Sequence, residues 1–137
     1  MTLLLHCLRF FIAHFIETHS MGINSYCNLL RIDLMSQIEN VRLQTTGNVY
    51  FEGKCVSFTF FTAEGTRKSI GVILPATLTF GTAAPEVMEL QQGHCRVRLA
   101  GSEQWQDYTG GQSFSVGANT SFDIEVLEPT HYICHYG

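Results

Sequence analysis

From Tyr50 onward, apolar and polar residues alternate in short runs, and turn residues interrupt them about every eight to twelve positions. A period of two is the period of a β-strand, whose side chains point alternately to opposite faces. The first run, Lys54–Phe61, puts Val56, Phe58 and Phe60 on one face. The turn Thr62–Thr66 follows, and Lys68–Leu74 then places Ile70, Val72 and Leu74 inward. Thr77–Phe80 carries Leu78 and Phe80 together, and Glu86–Gln91 carries Met88 and Leu90. His94–Leu99 sets Cys95, Val97 and Leu99 against Arg96 and Arg98. Gln104–Tyr108 alternates more weakly, with Trp105 expected to cover an edge or a dimer contact, and Gly110-Gly111 leads into Gln112–Val116. Ser121–Leu127 shows Phe122, Ile124 and Val126 on one face; Thr130–Tyr136 shows Tyr132, Cys134 and Tyr136 opposite His131, Ile133 and His135. Phe58 and Phe114 are assigned to the core.

No segment after Met35 has a 3.6-residue period. The expectation is an all-β domain of eight or nine short strands, antiparallel because parallel strands need crossover helices. Closing the sheet would remove exposed edges and leave room for one small ligand at its mouth. Alternation alone does not separate a barrel from an immunoglobulin-like sandwich, although the Cys…Trp…Cys spacing of antibody domains is absent.

Residues 1–34 read differently. They are apolar but broken by His6, Arg9 and His14, too short for a spanning helix and without the basic start and small-residue cleavage site of a secretory signal. Met35 offers a second start, followed by a polar lead-in over 35–49. The expectation is an extension outside the domain, an over-long start in preference to an amphipathic surface helix, with the domain itself at 50–137.

The hydrophobic fraction is 45% and the charged fraction 15%, enough apolar surface for one core. The net charge of −4 falls entirely after residue 34, where six Lys/Arg face ten Asp/Glu. A domain this acidic, with no basic tract beyond Arg67-Lys68 and Arg96-x-Arg98, has no footprint for nucleic acid. The five cysteines include no C-x-x-C pair, and three lie in strand-like runs. Reduced, buried thiols and a cytoplasmic location are expected, with no membrane partner.

Four stretches together carry a resemblance: Tyr50-Phe-Glu-Gly-Lys54, Arg67-Lys-Ser-Ile-Gly-Val72, Thr79-Phe-Gly-Thr-Ala-Ala-Pro-Glu-Val-Met88 and Glu128-Pro-Thr-His-Tyr-Ile-Cys-His-Tyr136. In this order and spacing the chain resembles the pyrimidine/purine nucleoside phosphorylase family of small cupins. The resemblance implies a single cupin-type barrel, the RmlC-like jelly roll, in a homodimeric cytoplasmic pentosyltransferase. It also implies reversible phosphorolysis of many nucleosides to free base and ribose 1-phosphate. Glu86 and Gly93 match the end of the first cupin motif. The second motif is incomplete: after Gly111, Gly117 and Thr120 stand where proline and histidine are usual. The missing proline should loosen the turn at Gly117.

Metal-binding cupins use a His-x-His pair, a Glu and a distant His. No His-x-His precedes Glu86, and the alternation puts His131 and His135 on the outer face. No metal and no organic cofactor is expected; phosphate is a substrate.

Phosphorolysis needs a phosphate cradle, a hold on the ribose, a face for the base and stabilisation of an oxocarbenium-like transition state. It needs no protein nucleophile. Arg67, at a strand start, is the phosphate candidate, because its planar fork suits oxyanions. Ser69 shares its face, and Thr82 lies in a Gly-Thr-Ala-Ala-Pro loop whose amides suit an anion. Glu86 is the carboxylate candidate, to hold ribose hydroxyls or to offset positive charge on the sugar; with Arg67 it makes the catalytic pair. Phe80, Phe122 and Tyr132 are candidates for the base, since an aromatic face accepts purines and pyrimidines alike. The competing readings are a solvated hairpin end for Arg67, core packing for each aromatic, and a non-catalytic ligand-binding or metal-dependent cupin for the whole.

Overall fold

A computed structural model describes residues 37–137. Nine strands form the domain: β1 (Arg42–Leu43), β2 (Asn48–Tyr50), β3 (Cys55–Phe61), β4 (Arg67–Ile73), β5 (Ala76–Thr82), β6 (Glu86–Leu99), β7 (Gln106–Thr109), β8 (Ser113–Val116) and β9 (Thr120–Tyr136). Every pairing is antiparallel. The short strands β1 and β2, drawn from the polar lead-in, both pair with β3. The proposed extension at 1–34 and the start at Met35 lie outside the described residues.

Two strands are longer than the alternation implied. Glu86–Gln91 and His94–Leu99 join into β6, and Ser121–Leu127 and Thr130–Tyr136 join into β9. Each serves two neighbourhoods. The later half of β9 pairs with β4 and the first half of β6; its early half pairs with β5 and the second half of β6. One wall of the domain is therefore β2-β3-β4-β9-β6-β8 and the other β5-β9-β6-β7. The register slips three times between Leu90 and Cys95, where β6 changes walls. Gly93 makes that bend possible: its φ is +99°, and a Cβ there would collide with the Pro129 carbonyl oxygen.

The two inner faces share one core, including Leu78, Met88, Leu90, Val97, Phe114, Val116, Phe122, Ile124 and Val126. On β5, β6, β8 and β9 the observed inward faces are those read from the alternation. On β3 and β4 they are reversed. Cys55, Ser57 and Thr59 of β3, with Ser69 and Ile73 of β4, point in and are buried, whereas Phe58 is 37% and Ile70 and Leu74 are 41% exposed. Phe58 is thus not a core residue. Phe60, on the same outward side, is buried but stands apart from the core cluster. The physical reason is that both sides of these strands carry apolar residues, so the two-residue period fixes two faces without saying which is inner. Leu99 is also exposed at the end of β6.

The outer face of the second wall is polar. Arg96 pairs with Glu125 and Arg98 with Asp123, and Thr79 donates to Asp123. Trp105 lies under both guanidiniums, just before β7. Cys55, Cys95 and Cys134 are free and buried, as their strand positions implied.

Candidate active site

The inward face of the first wall reads as successive rungs across the strands. Phe61 faces Arg67 across β3–β4, and Tyr136 faces Glu86 across β9–β6. The Arg67 guanidinium lies 4.1 Å above the Tyr136 ring, which joins these two pairs into one rung. The next rung is Thr59, Ser69, Cys134 and Met88, and the third is Asn48, Ser57, Gly71, Tyr132 and Leu90.

Arg67, Ser69 and Glu86 are therefore brought together. Ser69 Oγ and Tyr136 Oη lie 3.0 Å apart, with either able to donate. The Cys134 thiol donates to Glu86 Oε2 at 3.6 Å. Partial burial pushes the Glu86 carboxyl above its ordinary range, while the Cys134 thiol and the Arg67 charge pull the other way. Burial, then the Glu86 charge, pushes the Cys134 thiol up to about 12, so it is a donor here and not a thiolate. Burial also raises the Tyr136 hydroxyl.

The remaining candidates are distributed as follows. Phe80 and Phe122 stack, with ring centroids 5.5 Å apart and planes 15° from parallel. Phe114 meets Phe122 edge-on at 5.4 Å; it sits opposite Met88, two residues from Glu86. Tyr132 is packed inside the core, its ring so close over Gly71 that a Cβ there would lie 2.9 Å from Cζ; its hydroxyl is 3.6 Å from Cys55 Sγ. The Thr82 hydroxyl donates to the carbonyls of Gly117 at 2.7 Å and Thr120 at 3.3 Å. It braces the turn that lacks the cupin proline, so its proton is already committed to backbone.

Three participants were missed in the sequence. Alternation puts Tyr136 and Cys134 on the inward face but gives them no role, because nothing in the pattern shows Tyr136 beneath Arg67. Phe51 lies in a tight turn, Phe51–Gly53, that follows β2. Phe51 and Glu52 have φ of 52° and 55°, a strained left-handed conformation for non-glycine residues. The turn swings the Phe51 ring edge-on against Phe80 at 5.0 Å.

The histidines among the described residues stand on outer faces. His135 pairs with Glu89 at 2.8 Å and His94 with Asp107 at 2.9 Å, and His131 is exposed. Among the described residues no group of three or more His, Cys, Asp or Glu is arranged to hold a metal ion. No helix among them is long and apolar enough to cross a membrane.

Comparison with known proteins bears on this arrangement. Among solved structures, a protein of unknown function from Acinetobacter sp. ADP1 is 44% identical, with a TM-score of 0.72, covering 74% of this chain and 98% of that one. An RmlC-like cupin from Shewanella frigidimarina has a TM-score of 0.54 at 17% identity, covering 68% of this chain and 83% of that one, and so shares the fold: the domain is a cupin barrel. A pyrimidine/purine nucleoside phosphorylase from Thiobacillus denitrificans is 61% identical over 104 residues, 75% of this chain and all of that protein. One from Nocardia farcinica is 59% identical over 103 residues, again 75% of this chain and all of that protein. The family model described as pyrimidine/purine nucleoside phosphorylase matches residues 45–136, a span that includes both members of the Arg67–Glu86 pair. By that match and those identities, the chain belongs to the pyrimidine/purine nucleoside phosphorylase family.

Proposed function

We propose that this chain catalyses the phosphorolysis of purine and pyrimidine nucleosides to free base and ribose 1-phosphate. The observation that carries the reading is one guanidinium and one carboxylate, Arg67 and Glu86, on a single rung of the inner wall, close enough for each charge to be felt by the other. Arg67 binds the phosphate dianion, with Ser69 and Tyr136 hydroxyls beside it. A phosphate oxygen attacks the anomeric carbon of ribose. The bond from that carbon to the base nitrogen breaks, and the base leaves with the electron pair, taking a proton from solvent. Positive charge gathers on the sugar between these events, and the Glu86 carboxylate opposes it.

Broad base specificity is part of this reading. The partly buried Phe80 ring, backed by Phe122, offers a π-face, which every base can meet, in place of a hydrogen-bond code. The reaction needs no metal in this account, and the outward placement of the histidines supports that. Three buried free thiols favour a reducing, cytoplasmic setting. A homodimer is supported by the outer face of the first wall, where Phe58 and Ile70 are exposed directly opposite each other and Val49 is exposed on the neighbouring strand.

The test is incubation of purified protein with uridine, with and without inorganic phosphate. Uracil released only with phosphate, in equal amount with ribose 1-phosphate, is the expected result. Release without phosphate would make the protein a hydrolase, and binding without release would make it a ligand-binding barrel.

A further inference from the structure

The reversal of β3 and β4 leaves an energetic oddity. Ser57 and Thr59 are 4% and 5% exposed inside the barrel, while their neighbour Phe58 is left partly in water. A dimer contact would account for Phe58 pointing out, and alternation then turns residues 57 and 59 in, but neither explains why those inward residues carry hydroxyls in place of apolar side chains. Burying a hydroxyl costs free energy unless it is well hydrogen-bonded. Each has a partner, but the bonds from Asn48 are long, and for Thr59 that is the side-chain bond it has. Asn48 Nδ2 donates to Ser57 Oγ at 3.5 Å and to Thr59 Oγ1 at 3.4 Å, both far beyond the usual length of about 2.9–3.0 Å. Ser57 also meets the Tyr132 hydroxyl. Thr59 has no side-chain hydrogen-bond partner among the described residues except Asn48. Conflicts between local stability and global fold gather at functional sites.

The position is also suggestive. Thr59 shares a rung with Ser69, two residues from the rung of Arg67, or roughly 7 Å along the strand. An anion hydrogen-bonded to Arg67 at one end and a ribose hydroxyl hydrogen-bonded to Thr59 at the other bridge that gap across one sugar ring, because each hydrogen bond adds its own length to the span.

We infer that Asn48, Ser57 and Thr59 form the subsite that receives the 2′- and 3′-hydroxyls of ribose. The inference rests on the phosphorolysis reading for its choice of ligand. The sugar is the part common to all nucleosides, so polar groups read it while aromatic rings accept whichever base is attached. The ligand hydroxyls bond to Thr59 and the Asn48 carboxamide, replacing the two long contacts with shorter ones.

Calorimetric binding of uridine and 2′,3′-dideoxyuridine, in the absence of phosphate, tests this. A site built for hydroxyls rejects the analogue that lacks them, because its own polar groups are then left unpaired. Wild-type protein should bind uridine about tenfold more tightly than the dideoxy analogue. In Asn48→Ala and in the near-isosteric Thr59→Val the preference should shrink to about twofold or less, through weaker uridine binding. A full preference retained in a folded Thr59→Val, or no preference in the wild type, overturns the subsite; circular dichroism establishes that each variant is folded. The calorimetry contains no phosphate and does not depend on turnover; a failure of the phosphorolysis reading registers separately, in the incubation with phosphate, as absent base release beside an intact sugar preference.

Discussion

Arg67 stacks on Tyr136, and Tyr136 in turn shares a hydrogen bond with Ser69, so the guanidinium rests on a ring whose hydroxyl is itself held. Arg67→Ala should raise the KM for phosphate at least tenfold and change that for nucleoside little, as initial rates with each substrate varied in turn would establish. Glu86 presents the opposite case, a charge whose surroundings resist it. The unfolded chain ionises this carboxyl in the ordinary range and the folded chain does so at higher pH, chiefly because of burial. Its contribution to stability is therefore complete below the ordinary carboxylate range and is lost as pH rises through the raised value. Glu86→Gln should be more stable than wild type at pH 7, the difference closing below about pH 4, where the wild-type carboxyl is protonated in both states. The same variant should lose at least tenfold in kcat, together with the acid limb that the raised carboxyl gives the wild-type pH–rate profile. Thermal unfolding and pH–rate profiles of the two proteins measure both effects. A gain in stability joined to a loss of turnover separates a functional charge from a structural one.

At the scale of the element, the bend of β6 decides which residues meet. Without the slip around Gly93, the strand would run straight, and its two halves could not pair with β9 on both walls. Gly93→Ala meets two obstacles: a left-handed backbone and the Pro129 carbonyl oxygen in the path of the new carbon. Backbone cannot rotate aside as a side chain does. A loss of about 2–4 kcal/mol is expected, read as a lower urea midpoint at unchanged slope. The glycine of the first cupin motif was legible as a spacing from Glu86, and the crowding at Pro129 supplies its reason. The second motif illustrates substitution of one device by another. Where proline is missing, the Thr82 hydroxyl ties the carbonyls of Gly117 and Thr120, so the loosening expected there is countered by a side chain from β5.

On the whole molecule, the two outer faces differ in kind. One is closed by ion pairs and Trp105; the other exposes a stripe of aliphatic and aromatic side chains. If that stripe meets a second copy, Ile70→Glu should give a folded monomer by sedimentation equilibrium, since Ile70 points away from the Ser69 side of β4. A dimer that survives the change would place the interface elsewhere. The all-β, antiparallel class, most strand positions and the inward set Phe122, Ile124, Val126, Tyr132 and Cys134 were legible from the chain, because a period of two is a local property that needs no partner. So was the placing of Arg67 and Ser69 on one face, which follows from their two-residue spacing. Three matters were settled only by tertiary pairing: that Ser57 and Thr59 face in while Phe58 faces out, that Phe51 reaches Phe80, and that Arg67 lies over Tyr136. Alternation sorts side chains into two faces, but the choice of inner face and the meeting of residues 67 and 136 depend on how distant strands register, and no stretch of chain carries that information alone.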